Sequence, residues 1–78
     1  MARTRSSTRI LKQFGARVRA LRLELELSQE RLAHEAGIHP TYLSSVERGE
    51  RNLALLNILR LAHALGVDPA DLVEGLNP

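Results

Sequence analysis

The chain has 78 residues, enough for one small domain and too few to enclose the deep cleft of a large enzyme. It holds no cysteine, so disulfides, thiolate metal sites and cysteine nucleophiles are excluded and the fold must rest on apolar burial. The net charge of +2 hides an asymmetry: residues 1–22 carry seven Lys or Arg and no acid, while the rest of the chain carries four basic and nine acidic residues. Such a basic end points to a polyanionic partner, nucleic acid or an anionic membrane surface, and charge alone does not choose between them.

Hydrophobic residues make up 44% of the chain and are mostly Leu, Ala, Ile and Val, with only Phe14 and Tyr42 aromatic, which favours an all-α fold. The longest apolar run, Leu53 to Leu56, is far short of the roughly 18 residues a membrane span requires. In chain order, residues 1–8 read as a flexible basic arm ending in the cap candidates Ser6, Ser7 and Thr8, and residues 9–78 as a single domain. Leu11, Phe14, Val18, Leu21 and Leu25 recur at helical steps and predict a first helix over about 9–25, with Gly15 placed for close approach of another element. Ser28 caps a second helix over 29–36, stapled by Leu27 and Leu32 and stopped at Gly37. Pro40 opens a third helix that runs to Arg48 and ends at Gly49. Leu55, Ile58, Leu59, Ala62 and Leu65 form a fourth, without an evident side-chain cap at Leu53 or Ala54. After Gly66, Asp68 and Pro69 start a short fifth helix to about Glu74.

Residues 29–48, QERLAHEAGIHPTYLSSVER, hold two short helices joined by a three-residue turn. Helices of that length cannot bury themselves and need the first and fourth helices as a platform. Ala33 allows close helix contact, Gly37 suits a left-handed turn, and Ile38, Leu43 and Val46 supply inward contacts, the residue pattern of a helix-turn-helix.

With V-R-A-L-R in the first helix, L-S-Q-E-R-L-A in the second, A-G-I-H-P-T-Y-L-S-S-V-E-R-G across the turn and third, and L-R-L-A-H-A-L-G-V in the fourth, the chain resembles the lambda-repressor/Cro-like, xenobiotic response element family of helix-turn-helix regulators. Within it, T-Y-L-S-S-V-E-R-G-E-R-N-L is most similar to the controller proteins of restriction-modification systems. The resemblance implies a five-helix DNA-binding domain, a cytoplasmic location in a bacterial or phage setting, and a transcriptional regulator acting as a homodimer on an inverted-repeat operator in double-stranded DNA. Two positions depart from the family: Glu26 stands where glycine often closes the first helix, and Leu53 and Ala54 stand where Pro and Ser or Thr often open the fourth.

By the same resemblance, Gln29 contacts the phosphate backbone, Pro40, Thr41 and Ser45 face bases, and His39, Tyr42 and Ser44 lie nearer the sugar-phosphate chain. Thr41 offers a hydroxyl and a methyl, but short side chains read bases weakly, so Arg48 and Arg51 are candidates for guanine, phosphate or minor-groove contacts, with Asn52 steadying the loop or binding phosphate. Arg22 and Glu47 map to a structural ion pair between the first and third helices. Leu53, Leu56, Val67, Leu72, Val73 and Leu76 exceed the needs of one small core and form a candidate dimer interface, unless several simply complete that core.

His34, His39 and His63 have no metal-ligand spacing, and no catalytic triad order, paired-carboxylate pocket or phosphate loop is present, so neither cofactor, metal nor enzyme activity is expected, and no small-molecule effector site is identified. An antitoxin-type or adaptor module, with another protein as main partner, is the alternative to a regulator. A membrane-surface role would require the apolar stripe of the first helix to leave the core.

Overall fold

A computed structural model describes residues 5–77. Among them are five helices and no strand: α1 (Arg5–Glu24), α2 (Gln29–Ala36), α3 (Pro40–Glu47), α4 (Leu55–Leu65) and α5 (Pro69–Val73). The first helix starts four residues earlier than the periodicity predicts, so residues 5–8 of the expected arm are helical; residues 1–4 lie outside the described residues. No Pro or Gly interrupts residues 5–8, and Ser6, Ser7 and Thr8 are half-buried, so packing extends a segment whose own propensity is neutral.

At its other end α1 stops through a left-handed residue at φ 56°, and that residue is Glu26. The Leu27 amide bonds the Arg22 carbonyl at 3.1 Å and the Glu26 amide bonds that of Leu23 at 3.0 Å, a Schellman closure made without glycine. Leu25, expected in the inward stripe, falls in this turn and is about half exposed. Ser28 then caps α2 by accepting from the Arg31 amide at 3.0 Å, and Asp68 caps α5 through the Ala70 amide at 2.8 Å. Ala54 has the backbone of an N-cap, φ −66° and ψ 151°, but gives α4 no side-chain bond.

The core gathers Phe14 and Val18 of α1, Leu32, Ala33 and Ala36 of α2, Leu43 and Val46 of α3, Leu61, Ala62 and Leu65 of α4 and Leu72 of α5. Leu72 is fully buried, which removes it from the candidate dimer interface: it is the residue by which a five-residue helix is pinned to the domain. Helix α4 is apolar on both sides, so its period is ambiguous; Leu61 turns fully inward, while Leu55 and Leu59 of the predicted stripe are 68% and 40% exposed.

Gly15 sets the distance between α1 and α3. A Cβ there would come within 2.7 Å of the Glu47 carbonyl oxygen and closer still to that of Val46. The two helices therefore cross backbone to backbone, which brings Arg22 within reach of Glu47.

Candidate nucleic-acid interface

The α2–turn–α3 unit closes at Gly37, whose left-handed backbone lets the Ile38 amide reach the Ala33 carbonyl at 3.0 Å. His39 and Pro40 then start α3: the His39 ring accepts from the Thr41 amide at 3.1 Å through Nδ1. A neutral imidazole accepting at Nδ1 carries its proton on Nε2, so the cap leaves a donor facing away from the helix. Sequence reasoning placed His39 near the sugar-phosphate chain and missed its capping role, which its position directly before Pro40 signals.

Along α3, Thr41, Ser44 and Arg48 share one face at intervals of three and four residues. Thr41 and Arg48 are exposed and Ser44 is half-buried. Ser45 does not join them. It is only 5% exposed, its hydroxyl donates to the Tyr42 carbonyl at 2.7 Å, and it accepts from Arg51 Nε at 3.1 Å. The expected base contact of Ser45 is therefore corrected to a support for Arg51. That arginine also lies over the Tyr42 ring, 5.8 Å from its centroid, while the Tyr42 hydroxyl accepts from Asn57 Nδ2 at 3.3 Å. Tyr42 thus ties α3 to α4 and to the loop after α3, a link through Asn57 that no spacing rule in the sequence indicated.

Arg22 and Glu47 form a two-bond pair, Nε to Oε2 at 2.8 Å and Nη2 to Oε1 at 3.0 Å, with side chains 9% and 3% exposed. Arg22 Nη1 also donates to the Leu27 carbonyl at 2.8 Å. The hydrogen bond to Glu47 holds the Arg22 pKa above its ordinary value, against the opposing pull of burial. Gln29, the first residue of α2, is half-buried and donates from Nε2 to Glu47 Oε1 at 3.0 Å. One amide hydrogen is thereby committed inward and the second remains, so the expected phosphate ligand is also a strut between α2 and α3.

An ion pair sits at the exit of α3. Arg48 bonds Glu50 through Nε at 3.0 Å and Nη2 at 3.2 Å, and bonds the Ser44 hydroxyl through Nη1. The bonds to Glu50 raise the Arg48 pKa. Asn52 is exposed and adjoins Ser7, Ile10 and Leu11 of α1. Among the described residues no group of His, Asp or Glu is arranged to hold a metal ion, and no helix is long and apolar enough to cross a membrane.

The remaining candidate interface residues divide by burial. Leu56 and Val73 are exposed, at 62% and 42%, whereas Leu53, Val67 and Leu76 are half-buried against the core. Val73 and Leu76 also line an apolar cleft with Ile10, Leu11, Phe14 and Ile58. Leu55 and Leu59, two of the residues whose spacing predicts the fourth helix, extend the exposed apolar surface of α4.

Two short helices joined by a tight turn, the second docked on α1 through a buried ion pair and projecting a polar face, define a helix-turn-helix protein. The helix-turn-helix family profile matches residues 18–72, and the chain belongs to that family. It is 50% identical over 62 residues to the control protein C.BamHI of Bacillus amyloliquefaciens, covering 78% of this chain and 76% of that one. Over 65 residues it is 38% identical to the control protein C.MunI of a Mycoplasma species, covering 82% and 88% of the two chains. Among solved structures, the restriction-modification controller protein C.AhdI of Aeromonas hydrophila superposes with a TM-score of 0.78 at 50% identity, over 80% of this chain and 94% of that one.

Proposed function

We propose that this protein is a transcriptional regulator that binds an inverted-repeat operator in double-stranded DNA as a homodimer and controls the genes of a restriction-modification system. The observation that carries the reading is the outward face of α3, where Thr41, Ser44 and Arg48 stand together beside Arg51. In a helix-turn-helix this face enters the major groove while the amino end of α2, here Gln29 after the Ser28 cap, meets the backbone. Thr41 and Arg48 then face base edges, His39 and Arg51 reach phosphate, and Asn52 borders the groove.

One such face covers too few base pairs to specify a site, and two copies related by a two-fold axis place their α3 helices about 34 Å apart, one turn of DNA. The apolar side chains of Leu55, Leu56, Leu59 and Val73 supply a self-complementary surface for that pairing. Selection of bound sequences from random duplex DNA tests the whole reading. The expected result is a preferred site of two symmetric halves, bound less tightly as salt rises. Equal competition by random duplex would overturn it.

A further inference from the structure

Arg48 is a long, flexible side chain, and such a group reads a base well only if its orientation is fixed before binding. Here it is held from both sides: Ser44 lies one turn before it and Glu50 two residues after, and together they take three of its five N–H groups. One N–H on each terminal nitrogen remains, and a pair of that kind matches the O6 and N7 acceptors of guanine. Glu50 is itself built on a stiff support. Its amide bonds the Ser45 carbonyl at 3.0 Å in the turn closed by Gly49, whose φ is 77° and whose Cα side abuts the Lys12 backbone.

The neighbouring arginine shows the contrast. Arg51 is steadied by the Ser45 hydroxyl and the Tyr42 ring, both neutral, and keeps its whole positive charge for phosphate. Arg48 is steadied by a carboxylate, which repels any DNA backbone brought near it. An acid at that place weakens binding to every duplex and is compensated only where it improves a directional contact.

We propose that Glu50 is a positioning residue for base recognition, holding Arg48 so that its terminal N–H pair meets a guanine in each half-site. This rests on the operator-binding reading above and adds a determinant of specificity outside α3.

The test uses the duplex selected by the wild-type protein, with 7-deazaguanine replacing each guanine of the half-site in turn. Loss of N7 at the Arg48 partner is expected to weaken wild-type binding about tenfold. Arg48→Ala should lose that sensitivity at one guanine and so identify it. Glu50→Gln should bind random duplex more tightly while its 7-deaza penalty at that guanine falls to about twofold. Glu50→Asp keeps the charge and shortens the arm, so its random-duplex binding should match wild type while the penalty still falls. A full penalty retained in both Glu50 variants overturns the proposal, leaving Glu50 as a charge alone. Undiminished sensitivity at every guanine in Arg48→Ala overturns it too. Failure of the wild-type protein to select any site would instead defeat the operator-binding reading, before a variant is made.

Discussion

Two arginine–glutamate pairs meet at the end of α3, one on its inner side and one at its exit, and burial gives them opposite uses. Arg22–Glu47 is 9% and 3% exposed, shares its carboxylate with Gln29, and joins three helices. Arg48–Glu50 is 54% and 55% exposed, and both its residues lie beside the face that projects from the domain. The hydrogen-bond geometry is nearly the same in both. In the inner pair, removing either partner leaves a charge in a place water does not reach, whereas in the outer pair water replaces whatever is lost. The inner pair therefore fixes where α3 lies, and the outer pair is free to orient a side chain toward a nucleic acid.

The largest effects should come from breaking the inner pair. Glu47→Ala leaves Arg22 buried without its carboxylate and should cost about 3–5 kcal/mol, a large share of the roughly 4–12 kcal/mol expected for a domain of this size. Urea denaturation measures it directly. The double variant Arg22→Met, Glu47→Met should recover most of that loss, because the desolvation cost of both charges disappears with the pair. If the double variant is as unstable as the single one, packing rather than charge accounts for the effect. The arginine side of this contribution should not vary with pH in ordinary buffers. Its pKa is raised on folding, so its stabilisation is complete below the unfolded value and is lost only as pH climbs through the folded one.

Next in size is the backbone crossing that makes the inner pair possible. Gly15→Ala would gain helix propensity but drive a methyl group into the Val46 and Glu47 carbonyls, for a net loss of about 2 kcal/mol. A thermal melt reads this as a fall of roughly 10 °C. Unchanged stability would mean that α1 can slide on α3, and the close approach would lose its role. Glu26→Gly works in the opposite direction. It removes a side chain from a left-handed position in the turn leading from Arg22 into α2, and should raise stability by about 1 kcal/mol.

The helices themselves were legible because their punctuation is local. Gly37, Gly49 and Gly66 stop helices, Ser28 and Asp68 start them, and Glu26 alone takes a left-handed turn without glycine among the described residues. Orientation was less legible where a side chain fits either side of a helix. Ser45 is small and lies at the edge of the α3 stripe, and its inward turn depends on Arg51, six residues away across a loop. Leu55, Leu59 and Leu72 are chemically alike, yet Leu72 fills the core while the other two remain exposed, a difference set by how the helices pack and not by residue type. The early start of α1 was hidden because Ser6, Ser7 and Thr8 read as cap candidates and no apolar residue there extends the stripe.

The outer pair should give the smallest effect on stability and the clearest effect on binding. Glu50→Gln is expected to leave the melting temperature within the scatter of replicate melts, because both side chains are solvated with or without the contact. High salt should act in the same way, weakening Arg48–Glu50 while leaving Arg22–Glu47 shielded from mobile ions. A double-mutant cycle on each pair, run on folding and then on operator binding, puts the contrast in one experiment. Coupling between Arg22 and Glu47 should appear on folding, whereas coupling between Arg48 and Glu50 should appear only on binding. Folding coupling of similar size in both pairs would show that exposure does not divide their roles, and that the exit of α3 is as much a part of the scaffold as its inner face.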